Sequence, residues 1–89
     1  MTFEFDLFKS ASNAAKHGID FVQAQALWDD PFLLSVPARL VGESRMFTIG
    51  MIDERYWVAV WTQRGVQVRI ISVRRARKDE VDVYENGRI

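Results

Sequence analysis

The residues best suited to chemistry in this 89-residue sequence are the cations between positions 64 and 78. That stretch holds six basic side chains and no acidic one: Arg64, Arg69, Arg74, Arg75, Arg77 and Lys78. Arginine carries a permanent charge and a planar fork of donors that matches phosphate oxygens. The pattern indicates a surface that binds nucleic acid, although solvated surface charge with aliphatic stems covering the core explains the composition equally well.

Charge is divided unevenly along the chain, although its formal total is zero. Residues 1–54 carry four basic and eight acidic side chains, a net of −4, and residues 55–89 carry eight basic and four acidic, a net of +4. A phosphate backbone responds to the local field and not to the total charge. Zero net charge therefore does not exclude RNA as a partner.

Cleavage of RNA is the reaction that arginines of this kind can support. The 2′-hydroxyl of RNA is a built-in nucleophile, so a protein need only orient it, move protons and neutralise the charge that develops on the phosphate. Such a reaction needs no metal, and we expect no cofactor. The chain has no cysteine, which excludes a thiolate zinc site and a cysteine nucleophile. Asp29-Asp30 lacks further clustered ligands and is interpreted as the end of a helix.

Four other side chains are candidates for proton transfer or substrate positioning, and each has a plainer explanation. His17 can exchange protons near neutral pH, but it also stands where a helix C-cap is expected. Lys16 can bind phosphate or simply be solvated. Glu80 and Tyr84 lie four residues apart on one predicted helix, where Tyr84 can present its hydroxyl to a site or pack against the sheet.

Two helices are predicted before residue 31. Asp6 is placed to cap a first helix that reaches Lys16, in which Phe8, Ala11 and Ala15 form an apolar stripe, and Gly18 is placed to end it. Asp20 begins a second helix, with a capping-box pattern to Gln23, that ends before Pro31. A third helix is predicted near Arg77 to Glu85.

Extended segments follow the second helix. Four strands are predicted, over residues 33–41, 45–52, 56–63 and 66–75, with turns at Gly42-Glu43, Asp53-Glu54 and Arg64-Gly65. Such short turns predict an antiparallel meander, and residues 3–6 alternate as a further short strand does. In an unbroken strand Arg74 lies on one face of the sheet, and Arg69 and Arg75 lie on the other.

The whole chain, residues 1–89, is expected to form one α+β domain: an antiparallel sheet of about four strands, packed with two N-terminal helices and one C-terminal helix. No apolar stretch approaches the ~20 residues that span a bilayer, and the N-terminus lacks the pattern of a signal peptide. We therefore expect a cytoplasmic protein with no membrane partner.

The arrangement of these residues resembles one known family, the BrnT-type toxins of type II toxin–antitoxin systems. The resemblance rests on the following segments in this spacing: Phe3-Glu4-Phe5-Asp6, Asn13, Lys16-His17-Gly18-Ile19, Phe21, Ala24, Asp29-Asp30-Pro31, Arg64-Gly65, Arg69-Ile70-Ile71-Ser72, Arg74, Ala76, Glu80 and Tyr84. It covers nearly the whole chain.

What the resemblance implies is a RelE-like fold and a metal-independent ribonuclease that cleaves RNA, inhibits translation and is neutralised by a BrnA-type antitoxin. Operator DNA is then contacted only indirectly, through the antitoxin. By analogy with RelE-like toxins, Arg64 and Arg74 are assigned to phosphate and transition-state stabilisation. Lys16, His17, Glu80 and Tyr84 are candidates for proton transfer or positioning. The remaining basic residues are candidates for RNA binding: Arg69, Arg75, Arg77 and Lys78.

Three alternatives stay open on the sequence alone. The chain is an active ribonuclease, a non-enzymatic module that binds protein within a toxin–antitoxin complex, or a structural or adaptor domain with no nucleic-acid role. In the first two cases we expect an acidic or amphipathic antitoxin segment to cover the region from Arg64 to Lys78, by charge complementarity.

Overall fold

A mixed five-stranded sheet forms the centre of the molecule within residues 1–40 and 43–87, which are those that the computed structural model describes. The strands are β1 (Thr2–Glu4), β2 (Leu34–Leu40), β3 (Glu43–Ile52), β4 (Arg55–Arg64) and β5 (Gln67–Arg75). Their order across the sheet is β1-β5-β4-β3-β2. The meander predicted for β2 to β5 is confirmed, since each of these strands pairs antiparallel with the next.

The prediction of about four antiparallel strands is wrong at one edge. β1 pairs in parallel with β5, in the register Phe3 to Val68, which makes the sheet mixed. The alternation of residues 3–6 suggests a strand, but its partner lies more than sixty residues away. No local signal specifies such a pairing, because the register depends on how the helices pack the two strands together.

The turns of the meander follow from backbone conformation. Asp53 and Glu54 both have positive φ, 48° and 67°, which suits the type I′ turns that join tightly twisted hairpins. Gly65 has a φ of 58° in the β4–β5 turn, where a side chain would be strained. The turn predicted at Gly42-Glu43 lies partly outside the described residues, as does the predicted end of β2 at Val41.

Helix α1 (Leu7–His17) begins and ends where the sequence predicts. The backbone N–H groups of Phe8 and Lys9 donate to the Asp6 carboxylate at 2.8 and 3.0 Å, which confirms the N-cap. Gly18 has a φ of 79° and donates its N–H to Ala14 O at 2.9 Å. Both ends of the helix are therefore determined by local hydrogen bonds.

The buried side of α1 is polar, so the predicted apolar stripe is wrong. Phe8 is 87% exposed, whereas Ser10 and Asn13 are buried. The Ser10 hydroxyl accepts a hydrogen bond from Phe21 N at 2.9 Å, and Asn13 bonds to the backbone of Ile19 and Val73. These bonds satisfy buried backbone groups, which explains why polar side chains point inward here.

The second predicted helix is a 3₁₀ helix over Gln23–Asp29 and not an α-helix. Its predicted capping bonds are present: Gln23 N donates to Asp20 Oδ1 at 2.7 Å, and Asp20 N donates to Gln23 Oε1 at 2.9 Å. With three residues per turn, side chains three apart point the same way. Ala24 and Leu27 are three apart and both fully buried, so the tighter winding directs them to the same core.

The helices cover the two faces of the sheet unequally. The main apolar core lies between one face and the segment from Ile19 through the 3₁₀ helix, and it includes Phe21, Leu27, Trp57 and Val73. Helix α1 is joined to β5 by the hydrogen bonds of Asn13. Helix α2 (Lys78–Asn86) packs on the other face with a smaller cluster of Ile49, Val58 and Tyr84. No helix within the described residues is long and apolar enough to cross a bilayer.

A β-bulge at Ile71 corrects the prediction about which arginines share a face. Trp61 is paired with Ile70, but the preceding residue of β4, Val60, is paired with Ser72, which leaves Ile71 as an extra residue. The bulge reverses the alternation, so Arg69 and Arg74 lie on the same face, towards α2.

Candidate nucleic-acid interface

Four cations line one polar cleft of about 520 Å³ at the end of the sheet farthest from α2. They come from four different elements: Lys9 from α1, Arg45 from β3, Arg64 from β4 and Arg69 from β5. The other residues that line the cleft are Ser44, Thr62 and Ile71. Such a concentration of positive charge with hydroxyl groups beside it suits an anionic, polyoxygen ligand.

The secondary structure sets the position of each of these cations along its helix or strand. The N-cap bond from Lys9 N to Asp6 places Lys9 in the first turn of α1. Thr62 donates its hydroxyl to Ser44 O at 3.1 Å, which ties the end of β4 to the start of β3, where Arg45 lies. Arg64 is the last residue of β4 and is exposed to solvent.

Arg69 has a charged partner at the border of the cleft. Its guanidinium donates to Glu4 Oε2 at 3.0 Å, and the two residues are register partners in β5 and β1. The carboxylate orients the guanidinium and offsets part of the positive field. The cleft therefore combines four cations with the Glu4 carboxylate at its border.

Lys9 and Arg45 are the cleft cations that the sequence analysis did not single out. Both stand in the half of the chain with net negative charge, so a search for basic runs passes over them. One signal could have found Arg45. Paired residues in β3 and β4 lie the same number of positions before and after the Asp53-Glu54 turn, as Met46 and Trp61 do. Counting one position farther on each strand places Arg45 opposite Thr62.

Arg74 lies far from this cleft, although the sequence analysis grouped it with Arg64. Arg74 is the register partner of Val58, six residues before Arg64 in β4. At ~3.3 Å per residue this separates the two positions by about 20 Å. The structure therefore does not bring Arg64 and Arg74 to one phosphate group.

The partner of Arg74 is Glu80 of α2. The two nitrogens Nη1 and Nη2 donate to Glu80 Oε1 and Oε2 at 2.8 and 2.7 Å, a bidentate pair with 25% and 18% of the two side chains exposed. The hydrogen bond to Glu80 raises the pKa of Arg74, against the effect of burial. The hydrogen bond from Arg74 lowers the pKa of Glu80, again against burial. Both groups therefore remain charged.

Glu80 also organises the start of α2. Its Oε1 accepts a hydrogen bond from Arg77 N at 2.7 Å, while Arg77 precedes the first helical residue, Lys78. Both Arg77 and Lys78 are exposed, and both lie beside the Arg74–Glu80 pair instead of at the cleft. This end of the sheet is held together by a charged pair that joins β5 to α2.

Tyr84 is part of the core. The residue is 2% exposed, its ring contacts Tyr56 edge-on, and its hydroxyl donates to Asp30 Oδ2 at 2.7 Å. The same carboxylate oxygen accepts from Met51 N at 2.9 Å, and the other accepts from Phe32 N. Asp30 therefore joins the end of the 3₁₀ helix to β3 and α2.

Lys16, His17 and Arg75 lie at the other end of β5 from the cleft. Lys16 and His17 are exposed in the last turn of α1. The guanidinium of Arg75 lies 5.3 Å from the ring centroid of Trp57, on the face covered by the 3₁₀ helix. Arg75 is therefore separated from Arg74 by the sheet.

Comparison with known proteins gives one family match. A model of a family described as "Ribonuclease toxin, BrnT, of type II toxin-antitoxin system" matches residues 5–80. None of the curated proteins compared with the chain matches it. The matched span covers most of the chain and contains all four cations of the cleft.

Proposed function

The chain belongs to the BrnT family of ribonuclease toxins of type II toxin–antitoxin systems, and we propose that it is an endoribonuclease that cleaves RNA in the cytoplasm and so inhibits translation. The observation that carries this proposal is the cleft of Lys9, Arg45, Arg64 and Arg69. Its four cations and two hydroxyl-bearing side chains are suited to an RNA backbone, whose phosphates dominate the affinity of proteins for nucleic acid.

We propose that the scissile phosphate binds at this cleft and that Arg64 stabilises the transition state. The 2′-oxygen attacks phosphorus as the P–O5′ bond breaks, and the products are a 2′,3′-cyclic phosphate and a 5′-hydroxyl. The proton of the 2′-hydroxyl is removed and a proton is delivered to O5′. Negative charge that builds up on the phosphoryl oxygens is neutralised by Arg64, supported by Arg45 and Lys9.

The other candidates receive supporting roles. We propose that Arg74 and Glu80 keep α2 in place through their bidentate pair, because both charges are already engaged. Tyr84 is proposed as a positioning residue, because its hydroxyl already donates a hydrogen bond to Asp30. Arg75, Arg77 and Lys78 are proposed as outlying contacts for a longer RNA.

Lys16 and His17 are proposed to contact RNA that extends along α1. Lys16 lies seven residues after Lys9, which places the two amines on one side of the helix about 10 Å apart along its axis. His17 is one residue farther and is the candidate for proton transfer among these side chains.

The test compares two arginines at opposite ends of β4. Arg64→Gln is expected to reduce RNA cleavage by roughly 100-fold, in line with the loss of one donor that stabilises a developing charge. Arg55→Gln removes an exposed arginine from the first position of the same strand and is expected to cleave as wild type does. Equal activity of the two variants, both shown to be folded, would refute the assignment of Arg64.

A second candidate function is binding without cleavage. Among the described residues that line the cleft there is no histidine, aspartate or glutamate, the side chains that most often transfer protons. A purified protein that binds RNA and its antitoxin but leaves RNA intact would favour this alternative, and growth arrest with RNA loss on expression would exclude it.

The family implies a protein antitoxin as partner. We propose that it is of the BrnA type and that any contact with operator DNA is made by the antitoxin. The cations of the cleft support a site for its acidic residues.

A further inference from the structure

The outer side of helix α1 carries the apolar side chains that the sequence predicts for its buried side. Phe8, Ala11 and Ala15 share this side of the helix, and all three are exposed to solvent. At ~3.6 residues per turn, Phe8 lies about 160° around the helix from the buried Ser10. With an exposed fraction of 87%, Phe8 is the most exposed aromatic residue within residues 1–40 and 43–87. Its ring is therefore available to a ligand.

Two lysines flank the outer side of α1. Lys9 and Lys16 are seven residues apart, which places both side chains on one side of the helix, about 10 Å apart along its axis. Ser12 is exposed between these lysines and Phe8, because it lies three residues after Lys9 and four after Phe8. Helix α1 contains no acidic residue. The outer side therefore combines an aromatic ring with positive charge alone.

This surface continues into the cationic cleft. Lys9 lines the cleft together with Arg69 of β5, and Phe8 is its neighbour in the first turn of α1. The backbone N–H groups of Phe8 and Lys9 both donate to the Asp6 carboxylate, which fixes this turn. A ligand that leaves the cleft past Lys9 and continues along α1 therefore passes the Phe8 ring.

Single-stranded RNA has the chemistry that matches the outer side of α1. Its phosphates are anionic, and its unpaired bases offer flat faces that stack on aromatic rings. A duplex hides the faces of its bases within its own stack, so it can contact the lysines but cannot stack on Phe8. A protein partner is bound chiefly through apolar area, and Ala11, Ser12 and Ala15 offer little of it.

We infer that α1 is a subsite for single-stranded RNA, in which Lys9 and Lys16 contact phosphates and the Phe8 ring stacks on an unpaired base. The inference rests on the proposed function in taking the cleft as the RNA site. It adds a residue that selects unpaired RNA and holds the strand next to the cleft. Phe8 binds substrate in this scheme and takes no part in the transfer of protons.

Substitutions at Phe8 separate stacking from apolar contact. Phe8→Leu keeps an apolar side chain but loses the ring, and it is expected to weaken binding of a short single-stranded RNA by roughly tenfold. Phe8→Tyr keeps the ring and is expected to bind within about twofold of wild type. The probe is an oligoribonucleotide with 2′-O-methyl sugars, which stays intact because it lacks the nucleophilic 2′-hydroxyl.

Three further measurements identify stacking directly. The fluorescence of a 2-aminopurine base in the probe is expected to fall on binding to the wild type and to fall less with Phe8→Leu, because stacking quenches it. The salt dependence of binding is expected to keep its slope in Phe8→Leu, whereas Lys16→Gln reduces the slope by about 0.7, since only the lysine neutralises a phosphate. A duplex of the same sequence is expected to bind Phe8→Leu and the wild type equally.

Leu7→Ala is the matched control. Leu7 is 76% exposed and belongs to the same turn as Phe8, but it lies about 160° around the helix from Lys9. This variant is expected to bind the single-stranded probe within about twofold of wild type. Melting temperatures of the variants provide the check on folding.

The outcomes are distinguishable. Phe8→Leu that binds the single-stranded probe as tightly as the wild type overturns the inference, and so does an equal loss of affinity in Leu7→Ala. Weaker binding of the antitoxin by Phe8→Leu and Leu7→Ala, with RNA affinity unchanged, also overturns it and assigns the outer side of α1 to a protein. If the wild type binds RNA but leaves the unmodified strand intact, the proposed function fails while the affinities still decide the inference.

Discussion

Arg69 illustrates how a single contact tunes the candidate site. Its guanidinium is shared between the cleft and Glu4, which lies next to it in the neighbouring strand. The carboxylate holds the arginine in one orientation but also opposes an incoming phosphate. Glu4 therefore orients the Arg69 side chain but lowers the affinity of the cleft for phosphate, and its substitution shows which effect is larger.

Glu4→Gln is expected to strengthen RNA binding by roughly fivefold, because one negative charge beside the cleft is lost. The measurement is the Kd for a short single-stranded RNA at low ionic strength, where surface charges are least screened. Asp82→Asn, which removes an exposed carboxylate from α2, is the control and is expected to have little effect. Weaker binding by Glu4→Gln would show that the orientation of Arg69 matters more than the local charge.

Helix α1 is attached to the sheet by polar bonds, and Asn13 is the main one. β1 pairs with β5 only as far as Arg69, and beyond that point Asn13 bonds to the edge of β5. Its Nδ2 donates to Val73 O at 2.9 Å, and its Oδ1 accepts from Val73 N at 3.2 Å. The carboxamide thus bonds to both backbone groups of one residue, as a neighbouring strand would.

Asn13→Ala is expected to lower the free energy of unfolding by roughly 3 kcal/mol, because buried backbone groups of Ile19 and Val73 lose their partners. Ser12→Ala changes the exposed neighbouring residue and is expected to remain within about 0.5 kcal/mol of wild type. Urea denaturation measures both. A small effect of Asn13→Ala would mean that water replaces the carboxamide at the edge of β5.

Helix α2 is attached differently, by the pair of Arg74 and Glu80. The pKa of Glu80 is lowered in the folded protein, chiefly by the hydrogen bond from Arg74. A lowered pKa means that the stabilising charge is fully present above the ordinary glutamate value of 4.5 and is lost as the pH falls through the folded value. The attachment of α2 is therefore expected to weaken in acid.

Glu80→Gln is expected to cost roughly 1 kcal/mol of stability at neutral pH, the upper range for a pair that solvent partly screens. As the pH falls below 4.5 the wild type is expected to lose more stability than this variant, so the two curves converge in acid. Denaturant unfolding across this range, with Asp82→Asn as the control, measures the difference. Parallel curves would show that the pair contributes nothing that depends on pH.

The formal net charge of the molecule is zero, yet its basic and acidic side chains are unevenly distributed. The cleft collects cations from both halves of the sequence, with Lys9 and Arg45 from the acidic half and Arg64 and Arg69 from the basic half. Folding therefore creates a basic region that total charge conceals. Under the proposed function, association with RNA depends on this region, because the field at the contact surface governs counterion release.

Binding of single-stranded RNA is expected to weaken as salt rises, with a slope of log K against log salt between about −2 and −3. This range corresponds to three or four phosphates neutralised at ~0.7 per phosphate, with one cation partly offset by Glu4. Arg45→Gln is expected to reduce the slope by about 0.7, and Arg55→Gln to leave it unchanged. A slope near zero in the wild type would contradict an electrostatic RNA site.

Features that depend on a few neighbouring residues could be predicted from the sequence. The cap at Asp6, the stop at Gly18, the turn at Asp53-Glu54 and the meander of β2 to β5 are all present in the structure. Each arises from hydrogen bonds or backbone preferences within a short segment, which is why residue types reveal them. The resemblance to the BrnT family likewise rested on residue types and their spacing, and the family match confirms it.

Features that depend on distant partners were decided only by the tertiary structure. The bulge at Ile71 has no compositional signature, yet it places Arg69 and Arg74 on one face. The parallel pairing of β1 brings Glu4 to Arg69, and the packing of α1 brings Lys9 to the cleft. These contacts join residues far apart in the chain, so the local periodicity of a strand or helix carries no information about them.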